Sequence, residues 1–211
     1  MIYKYLGAVL CLAVLSSACL AQDHRFNAQV TPFAGYRFGG SFEDNETGDE
    51  FSLDNTSSYG LAVNFPYQQN TEWEIYYSKQ STAVDDAGFF VSDNQFDIDV
   101  EYLQIGGTYL FEESGSAAPY FVATIGGARF SPQEPGTKSD TFFSFSAGGG
   151  WRFFPASRLG LRVDARLLGS FVDGDSKIFC SSGPEGGGCA ISNSGKLLYQ
   201  VELQLGLVFR F

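Results

Sequence analysis

The stretch Leu197-Leu-Tyr-Gln-Val-Glu-Leu-Gln-Leu-Gly-Leu-Val-Phe-Arg-Phe211, at the end of the chain, decides the fold. Its odd positions are all apolar, whereas its even positions include Gln200, Glu202, Gln204 and Arg210. A period of two residues indicates an extended strand with one apolar and one polar face. Because a tilted strand of about 9–11 residues crosses a bilayer, the pattern predicts a membrane-spanning β-strand.

The first 21 residues have the pattern of a secretory signal peptide. A positively charged start is followed by an apolar core over residues 6–15 and by small residues over 16–21. We place the cleavage site after Ala21, with Ala18 as the alternative. Acylation of Cys19, as in a lipoprotein, is disfavoured because a Ser stands three residues before it, where a Leu is usual.

Residues 22–211 are predicted to form a single β-barrel domain. After residue 21, no apolar run approaches the roughly 20 residues that a transmembrane helix needs, and the mean hydropathy of the chain is −0.06. Only helices and closed barrels satisfy every backbone polar group in lipid. If this domain enters a membrane, it must therefore do so as a closed barrel.

The composition narrows the functional classes. The formal net charge is −11, which disfavours nucleic-acid binding because that activity uses a basic surface. The 25 glycines and the aromatic content of 16% suit a twisted, tightly turned β protein.

Two cysteines remain after the predicted signal peptide, Cys180 and Cys189. An even pair in an exported protein predicts a disulfide, since a metal site would need further ligands and no histidine lies nearby. The bond would close a short loop and stabilise it by roughly 2–3 kcal/mol in the chain-entropy model. We hypothesise that it orders an external loop, over residues 172–196, for contact with a partner or with lipopolysaccharide.

The same alternation recurs seven times before the last strand. In the fourth strand it changes phase, which indicates either a β-bulge near Tyr102 or a position of Asp99 and Glu101 above the membrane. The fifth strand is the weakest, because Phe121 and Ile125 lie out of phase with Tyr120 and Val122. The seven predicted strands lie near residues 26–38, 59–65, 73–77, 97–111, 119–130, 143–153 and 159–171.

The connections between the predicted strands alternate in length. Such alternation is typical of outer-membrane barrels, which have long external loops and short periplasmic turns, and it places both termini on the periplasmic side. A soluble eight-stranded barrel would bury the apolar faces instead; aromatic residues near the strand ends and the nearly uncharged apolar faces disfavour it. The long connections lie near residues 39–58, 79–96, 131–141 and 172–196, and the short ones near 66–71, 112–118 and 155–158.

Three segments carry a family resemblance: Ala147-Gly-Gly-Gly-Trp-Arg-Phe-Phe154, Leu159-Gly-Leu-Arg-Val-Asp-Ala-Arg166 and Gly206-Leu-Val-Phe-Arg-Phe211. With the signal peptide, they resemble the small outer-membrane β-barrel proteins of Gram-negative bacteria, both OmpX/OmpW-like and OmpA-barrel-like. The resemblance implies an all-β, eight-stranded antiparallel up-and-down transmembrane barrel in the outer membrane. It also implies contact with outer-membrane lipid and lipopolysaccharide, a monomer, and recognition of Phe209 and Phe211 by the barrel-assembly machinery.

Charged residues on the polar faces are expected to point into the lumen. An eight-stranded barrel is just wide enough for side chains to fill, and buried charges need partners. A packed ion-pair network is therefore the favoured interpretation, and a narrow polar pore is the alternative. The predicted network comprises Arg37, Glu72, Glu74, Arg152, Arg162, Asp164, Arg166, Glu202 and Arg210.

No catalytic, cofactor-binding or metal-binding residue is predicted. The one histidine, His24, precedes the first strand, where it is badly placed to act as the base that hydrolytic outer-membrane barrels use. The acidic loops do not have EF-hand spacing. The sequence therefore predicts a non-enzymatic structural or surface-interaction role, with a narrow OmpW-like conduit for small molecules as the alternative.

Overall fold

A computed structural model of the chain describes residues 28–43, 50–85, 96–111, 117–133, 139–154, 158–172, 180–183, 186–189 and 196–211. Twelve strands are defined in these ranges. They are β1 (Gln29–Phe38), β2 (Ser41–Glu43), β3 (Glu50–Leu53), β4 (Thr56–Gln68), β5 (Thr71–Asp85), β6 (Phe96–Leu110), β7 (Ala117–Pro132), β8 (Asp140–Phe153), β9 (Leu159–Val172), β10 (Cys180–Gly183), β11 (Gly186–Cys189) and β12 (Lys196–Arg210).

Eight of these strands form a closed barrel. β1, β4, β5, β6, β7, β8, β9 and β12 each pair antiparallel with their neighbours in chain order, and β1 pairs with β12. Closure satisfies the backbone groups at both edges of the sheet, which is the condition for a strand structure in lipid. The predicted eight-stranded up-and-down barrel is confirmed.

No helix among the described residues is long and apolar enough to cross a membrane.

The two faces of each strand differ as the alternation predicts. On β12, Leu203 and Leu205 are 50% and 59% exposed, whereas Glu202 and Gln204, which alternate with them, are buried. The apolar side chains therefore face outward and the polar ones inward, which is the arrangement of a membrane barrel and the reverse of a soluble one.

The β-bulge near Tyr102, one of the two alternatives for the change of phase, is absent. The pairing of β5 with β6 is continuous from Thr71 opposite Tyr109 to Val84 opposite Phe96. The phase changes because Ile98 and Val100, as well as Tyr102, face inward and are buried, while Asp99 and Glu101 face outward. The position of Asp99 and Glu101 above the membrane stays a prediction. In β7, where the phase was ambiguous, Tyr120 and Val122 face inward, and Phe121 and Ile125 are exposed.

Several strands are longer than the alternation predicts. β4 begins at Thr56 and β5 continues to Asp85, so both extend into the predicted long connections. The short strands β2 and β3 pair with each other inside the first of these connections, and β3 also pairs with β5. Phe26, the predicted first residue of β1, lies outside the described residues.

Both chain ends of the described barrel lie at the same end as the short connections. The backbone N–H of Phe211 donates to the carbonyl oxygen of Ala28 at 3.0 Å. We call this the terminal end of the barrel, and we call the opposite end, where β1 leads into β2 and β9 leads toward β10, the loop end. The predicted signal peptide lies outside the described residues.

The strands are strongly staggered around the barrel. The pairing from Glu72 leads through Arg166 and Glu202 to Arg37 and Thr56, and its continuation returns to β5 at Thr82, ten residues beyond Glu72. A stagger of this size in eight strands corresponds to a strand tilt of about 40° from the barrel axis. Each step to the next strand in this direction therefore raises the paired residue toward the loop end by slightly more than one residue.

Candidate functional site: the charged lumen

The alternation of the strands directs eight of the nine predicted network residues into the lumen. Successive side chains of a strand point to opposite faces, so Arg162, Asp164 and Arg166 all project inward from β9. The eight are at most 6% exposed. They are Arg37, Glu72, Glu74, Arg152, Arg162, Asp164, Arg166 and Glu202.

Glu74 lies at the centre of the network. Its two carboxylate oxygens accept from Arg162 Nη1 at 3.0 Å and from Arg166 Nη2 at 2.6 Å. The side-chain amide of Asn64 donates to it at 3.1 Å, and the hydroxyl of Thr108 donates at 3.3 Å. The carboxylate therefore receives two charge-assisted and two neutral hydrogen bonds, which offset its desolvation.

Asp164 completes the central cluster. Its Oδ2 accepts from Arg162 Nη2 at 2.7 Å and from the hydroxyl of Tyr120 at 2.6 Å. The same oxygen lies 3.6 Å from Arg166 Nη2. The guanidinium of Arg162 also lies 4.8 Å from the centroid of the Tyr120 ring, so the tyrosine contacts both members of this ion pair.

A second pair lies closer to the terminal end. Arg152 Nη1 donates to Glu72 Oε2 at 2.7 Å, and the side-chain amide of Gln29 donates to the other oxygen of Glu72 at 3.0 Å. The guanidinium of Arg152 lies 4.9 Å from the centroid of Tyr120. Tyr120 therefore links this pair to the central cluster.

A third pair lies toward the loop end. Arg37 Nη2 donates to Glu202 Oε1 at 3.1 Å. Glu202 also accepts from the hydroxyl of Tyr76 and, at 2.8 Å, from the side-chain amide of Gln204. The ring of Tyr76 lies 4.1 Å from the guanidinium of Arg166, which connects this pair to the central cluster.

The charges of this set balance. Its four arginines and four carboxylates form six ion pairs within 4.0 Å. Burying charge is strongly unfavourable unless each group is paired and hydrogen-bonded. The balance is therefore the condition under which these eight side chains can fill the lumen together.

Arg210 and the two terminal phenylalanines occupy the rim of the terminal end. Arg210 is half-buried, and its guanidinium carbon lies 3.2 Å from the centroid of the Phe154 ring. Phe209 and Phe211 are exposed, at 38% and 57%. Their recognition by the assembly machinery stays a prediction.

Glycines on the neighbouring strands make room for the central charges. Directly opposite Glu74, Asp164 and Arg166 stand Gly106, Gly150 and Gly148, respectively. A Cβ atom on Gly150 would lie 2.0 Å from the carbonyl oxygen of Val163 and 2.6 Å from Asp164 Cβ. The spacing of these glycines was visible in the sequence, but their partners depend on strand register.

The loop end of the lumen is filled differently, by an apolar layer that the sequence reasoning did not predict. Each member of this layer is less than 9% exposed, and Phe130 and Phe142 contact edge to face at 5.7 Å between centroids. The signal for it was the run of inward positions that changes the phase of β6. The apolar layer comprises Leu53, Ile98, Val100, Phe130, Phe142, Val172 and Leu198.

The predicted disulfide concerns residues at the loop end. β10 and β11 form a separate two-stranded antiparallel sheet in which Cys180 is directly opposite Cys189. Directly opposite residues of antiparallel strands have Cα atoms about 4.5–5.5 Å apart, which is within the range that a disulfide spans. The backbone is thus compatible with the bond, which stays a prediction.

The closed antiparallel barrel, with its apolar exterior and charge-paired interior, is typical of bacterial outer-membrane proteins. The family model described as "Outer membrane protein beta-barrel domain" matches residues 7–211. The chain belongs to this family. It is therefore an outer-membrane β-barrel protein, as the resemblance implied. No curated protein sequence matches it.

Solved structures with the same fold come from proteins of low sequence identity. Neisserial surface protein A has a TM-score of 0.58 at 12% identity, covering 87% of this chain and 97% of its own. The outer membrane protein OprG of Pseudomonas aeruginosa has a TM-score of 0.57 at 12% identity, covering 90% and 98%. The outer membrane protein AlkL, solved in lipid bilayers, has a TM-score of 0.51 at 12% identity, covering 90% and 93%. At this identity the likeness concerns the fold alone.

Proposed function

We propose that this protein is a non-conducting, non-enzymatic outer-membrane barrel whose lumen is a structural core and whose external loops carry its surface role. The observation that supports this proposal is the filling of the lumen. A layer of four arginines and four carboxylates is buried beneath a layer of apolar side chains. An ion that crossed the barrel would have to separate the ion pairs and then pass through a layer made mainly of apolar side chains.

The proposed orientation places the terminal end in the periplasm and the loop end outside the cell. The connection between β4 and β5 is only two residues, Gln69–Asn70, whereas β9 and β12 are 23 residues apart in the chain. Short periplasmic turns and long external loops are the usual asymmetry of outer-membrane barrels. Lipopolysaccharide and external partners would then meet the loop end.

Electrical recording of the refolded protein in planar bilayers tests the closed lumen. We expect no steady single-channel conductance from the natural sequence. In a matched variant, Phe130, Phe142 and Leu198 are replaced by Ala, which removes part of the apolar layer. Its conductance is compared with that of the natural sequence to show whether the recording detects an opened lumen. Steady conductance of the natural sequence would overturn the proposal and favour the narrow conduit for small molecules.

The surface role has a separate test on cells. Replacing Cys180 and Cys189 with Ser removes the proposed disulfide without changing the barrel strands. We expect reduced surface binding or reduced serum resistance, with the folded barrel still present in the outer membrane. Unchanged binding, serum resistance and envelope integrity would contradict a role for this loop.

A further inference from the structure

The outward face of the barrel is not equally apolar all the way around. On β5, β6 and β7, Lys79, Glu101 and Arg129 stand directly opposite one another and all point outward. Lys79 Nζ lies 2.8 Å from Asp99 Oδ2 and 3.8 Å from Glu101 Oε1. The side chains of Lys79, Asp99 and Glu101 are 24%, 20% and 26% exposed, and Arg129 is exposed, so all four are accessible from outside the barrel. We call Lys79, Glu101 and Arg129 the charged row.

The other side of the barrel is aromatic toward the loop end. Phe171 on β9 lies 5.9 Å from Phe143 and 5.7 Å from Phe145, measured between ring centroids. Phe143, Phe171 and Tyr199 are each about half exposed, at 53%, 50% and 50%. These three residues, which we call the aromatic face, continue the lipid-facing apolar surface of β8, β9 and β12 without interruption.

The register shows that the charged row and the aromatic face lie at similar heights. Glu202 is five pairing steps from Glu72, and the stagger of the barrel raises it by about six residues. On β12, Tyr199 lies three residues closer to the loop end than Glu202. On β5, Ser81 lies nine residues closer to the loop end than Glu72. Tyr199 and Ser81 are therefore level, and Ser81 lies beside the charged row.

The outward-facing band of apolar side chains, which we call the apolar belt, consequently differs in height around the barrel. On β6 it extends from Phe111 to Leu103, which are eight residues apart and span about 20 Å of height. On β12 it extends from Phe211 to Tyr199, which are twelve residues apart and span about 30 Å. The usual belt of such barrels is about 25 Å tall. One side is thus shorter than a typical outer membrane and the other taller.

We propose that the barrel binds a sloping outer leaflet, with lipid headgroups lowered to the charged row and acyl chains raised over the aromatic face. The occupant of the aromatic face is lipid, because this face continues the surface that lipid already covers. Charged side chains in the hydrocarbon region are costly, and exposed aromatic clusters in water are unfavourable, so a level boundary would leave one side mismatched. The proposal rests on the membrane location of the barrel and does not depend on a closed lumen.

Spin labels at two level positions test the slope. The labels are attached to Ser81→Cys and to Tyr199→Cys, in protein with all native cysteines replaced by Ser and refolded into phosphatidylcholine vesicles. We expect the Tyr199 position to be several-fold more accessible to oxygen, relative to a water-soluble nickel chelate, than the Ser81 position. The matched control is a second level pair nearer the terminal end, Ile75→Cys and Leu205→Cys, which should both face lipid.

Two results would overturn the proposal. Equal accessibility at Ser81 and Tyr199 would mean a level leaflet. Protection of the Tyr199 position from both reagents would mean that protein, such as a second copy of the chain, covers the aromatic face. Folding of each variant is verified by its altered migration in detergent gels before and after boiling.

A further variant tests the cause of the slope. Replacing Lys79, Glu101 and Arg129 together with Leu should move the Ser81 label toward oxygen accessibility and leave the Tyr199 label unchanged. If the Ser81 label is unaffected in the folded variant, the charged row does not set the boundary, and the proposal fails.

Discussion

The two halves of the lumen are filled by different interactions. Near the terminal end, Glu74 accepts hydrogen bonds from four side chains, and removal of one partner from such a buried charged network is expected to be costly. Near the loop end, residues such as Phe130 and Leu198 pack without directional bonds. One barrel interior is thus filled by two means, and we expect the polar half to depend more on its individual members than the apolar half.

The largest effect is expected from removal of Glu74. Glu74→Ala leaves the buried guanidinium of Arg166 without its nearest carboxylate and takes one of two carboxylate partners from Arg162, which we expect to cost about 3–5 kcal/mol of unfolding free energy. Urea unfolding of the refolded protein in vesicles measures it. The control is Glu101→Gln on the outer face, which should cost less than about 1 kcal/mol because that ion pair is solvent-accessible. Equal losses would contradict the dependence of the polar half on its partners.

The apolar half should respond through a cavity. Leu198→Ala removes a fully buried side chain and should cost about 2–4 kcal/mol. The same substitution at Leu203, on the lipid-facing side of the same strand and 50% exposed, should cost clearly less. Both are measured by urea unfolding, and similar losses at the two sites would show that the apolar layer is loosely packed.

Glycine spacing should matter specifically beside the charges. Gly150→Ala places a Cβ against the Val163 carbonyl and Asp164, and we expect a loss of about 2 kcal/mol through strain. Gly107→Ala is the control, because the nearest atom to its Cβ is the Glu72 carbonyl oxygen at 3.7 Å, an ordinary contact. If Gly107→Ala is the more harmful of the two, the proposed role of Gly150 is wrong.

The smallest effect is the coupling within one ion pair. We expect the double variant Arg37→Met/Glu202→Leu to be more stable than Glu202→Leu alone by about 1 kcal/mol, because the single change leaves a buried guanidinium without its carboxylate. A double-mutant cycle, measured by urea unfolding, gives this coupling. Strictly additive losses would show that Arg37 finds adequate partners in Ser78 and Gln80, which also contact it.

Much of the fold was predictable because strand alternation is local. The period of two in residues 197–211 identified the lipid face, and the recurring pattern gave the correct number of barrel strands, although it missed the four short strands β2, β3, β10 and β11. The sequence left two explanations for the change of phase near Tyr102. Hydrophobicity does not show whether an apolar residue faces the lumen or the lipid. The full lengths of β4 and β5 were missed because the loop-end portions of these strands consist mainly of small and polar residues, which also occur in loops.

The members of the charged site were predictable, but their partners were not. Alternation assigned Arg162 and Glu74 to the inner face, yet their contact joins residues 88 positions apart in the chain. The apolar layer escaped prediction for the same reason, since hydrophobicity alone does not distinguish a lumen position from a lipid position.

The sequence by itself determined that this protein is an exported β-barrel with an apolar exterior, because alternation and loop length are properties of neighbouring residues. Only the tertiary structure decided which side chains fill the lumen and where the apolar belt on the outer face ends. Those features depend on the stagger of the strands, which sets the charges of β9 against Glu74 and raises Tyr199 to the height of Ser81. Stagger is a property of all eight pairings at once, and no single segment of the chain encodes it.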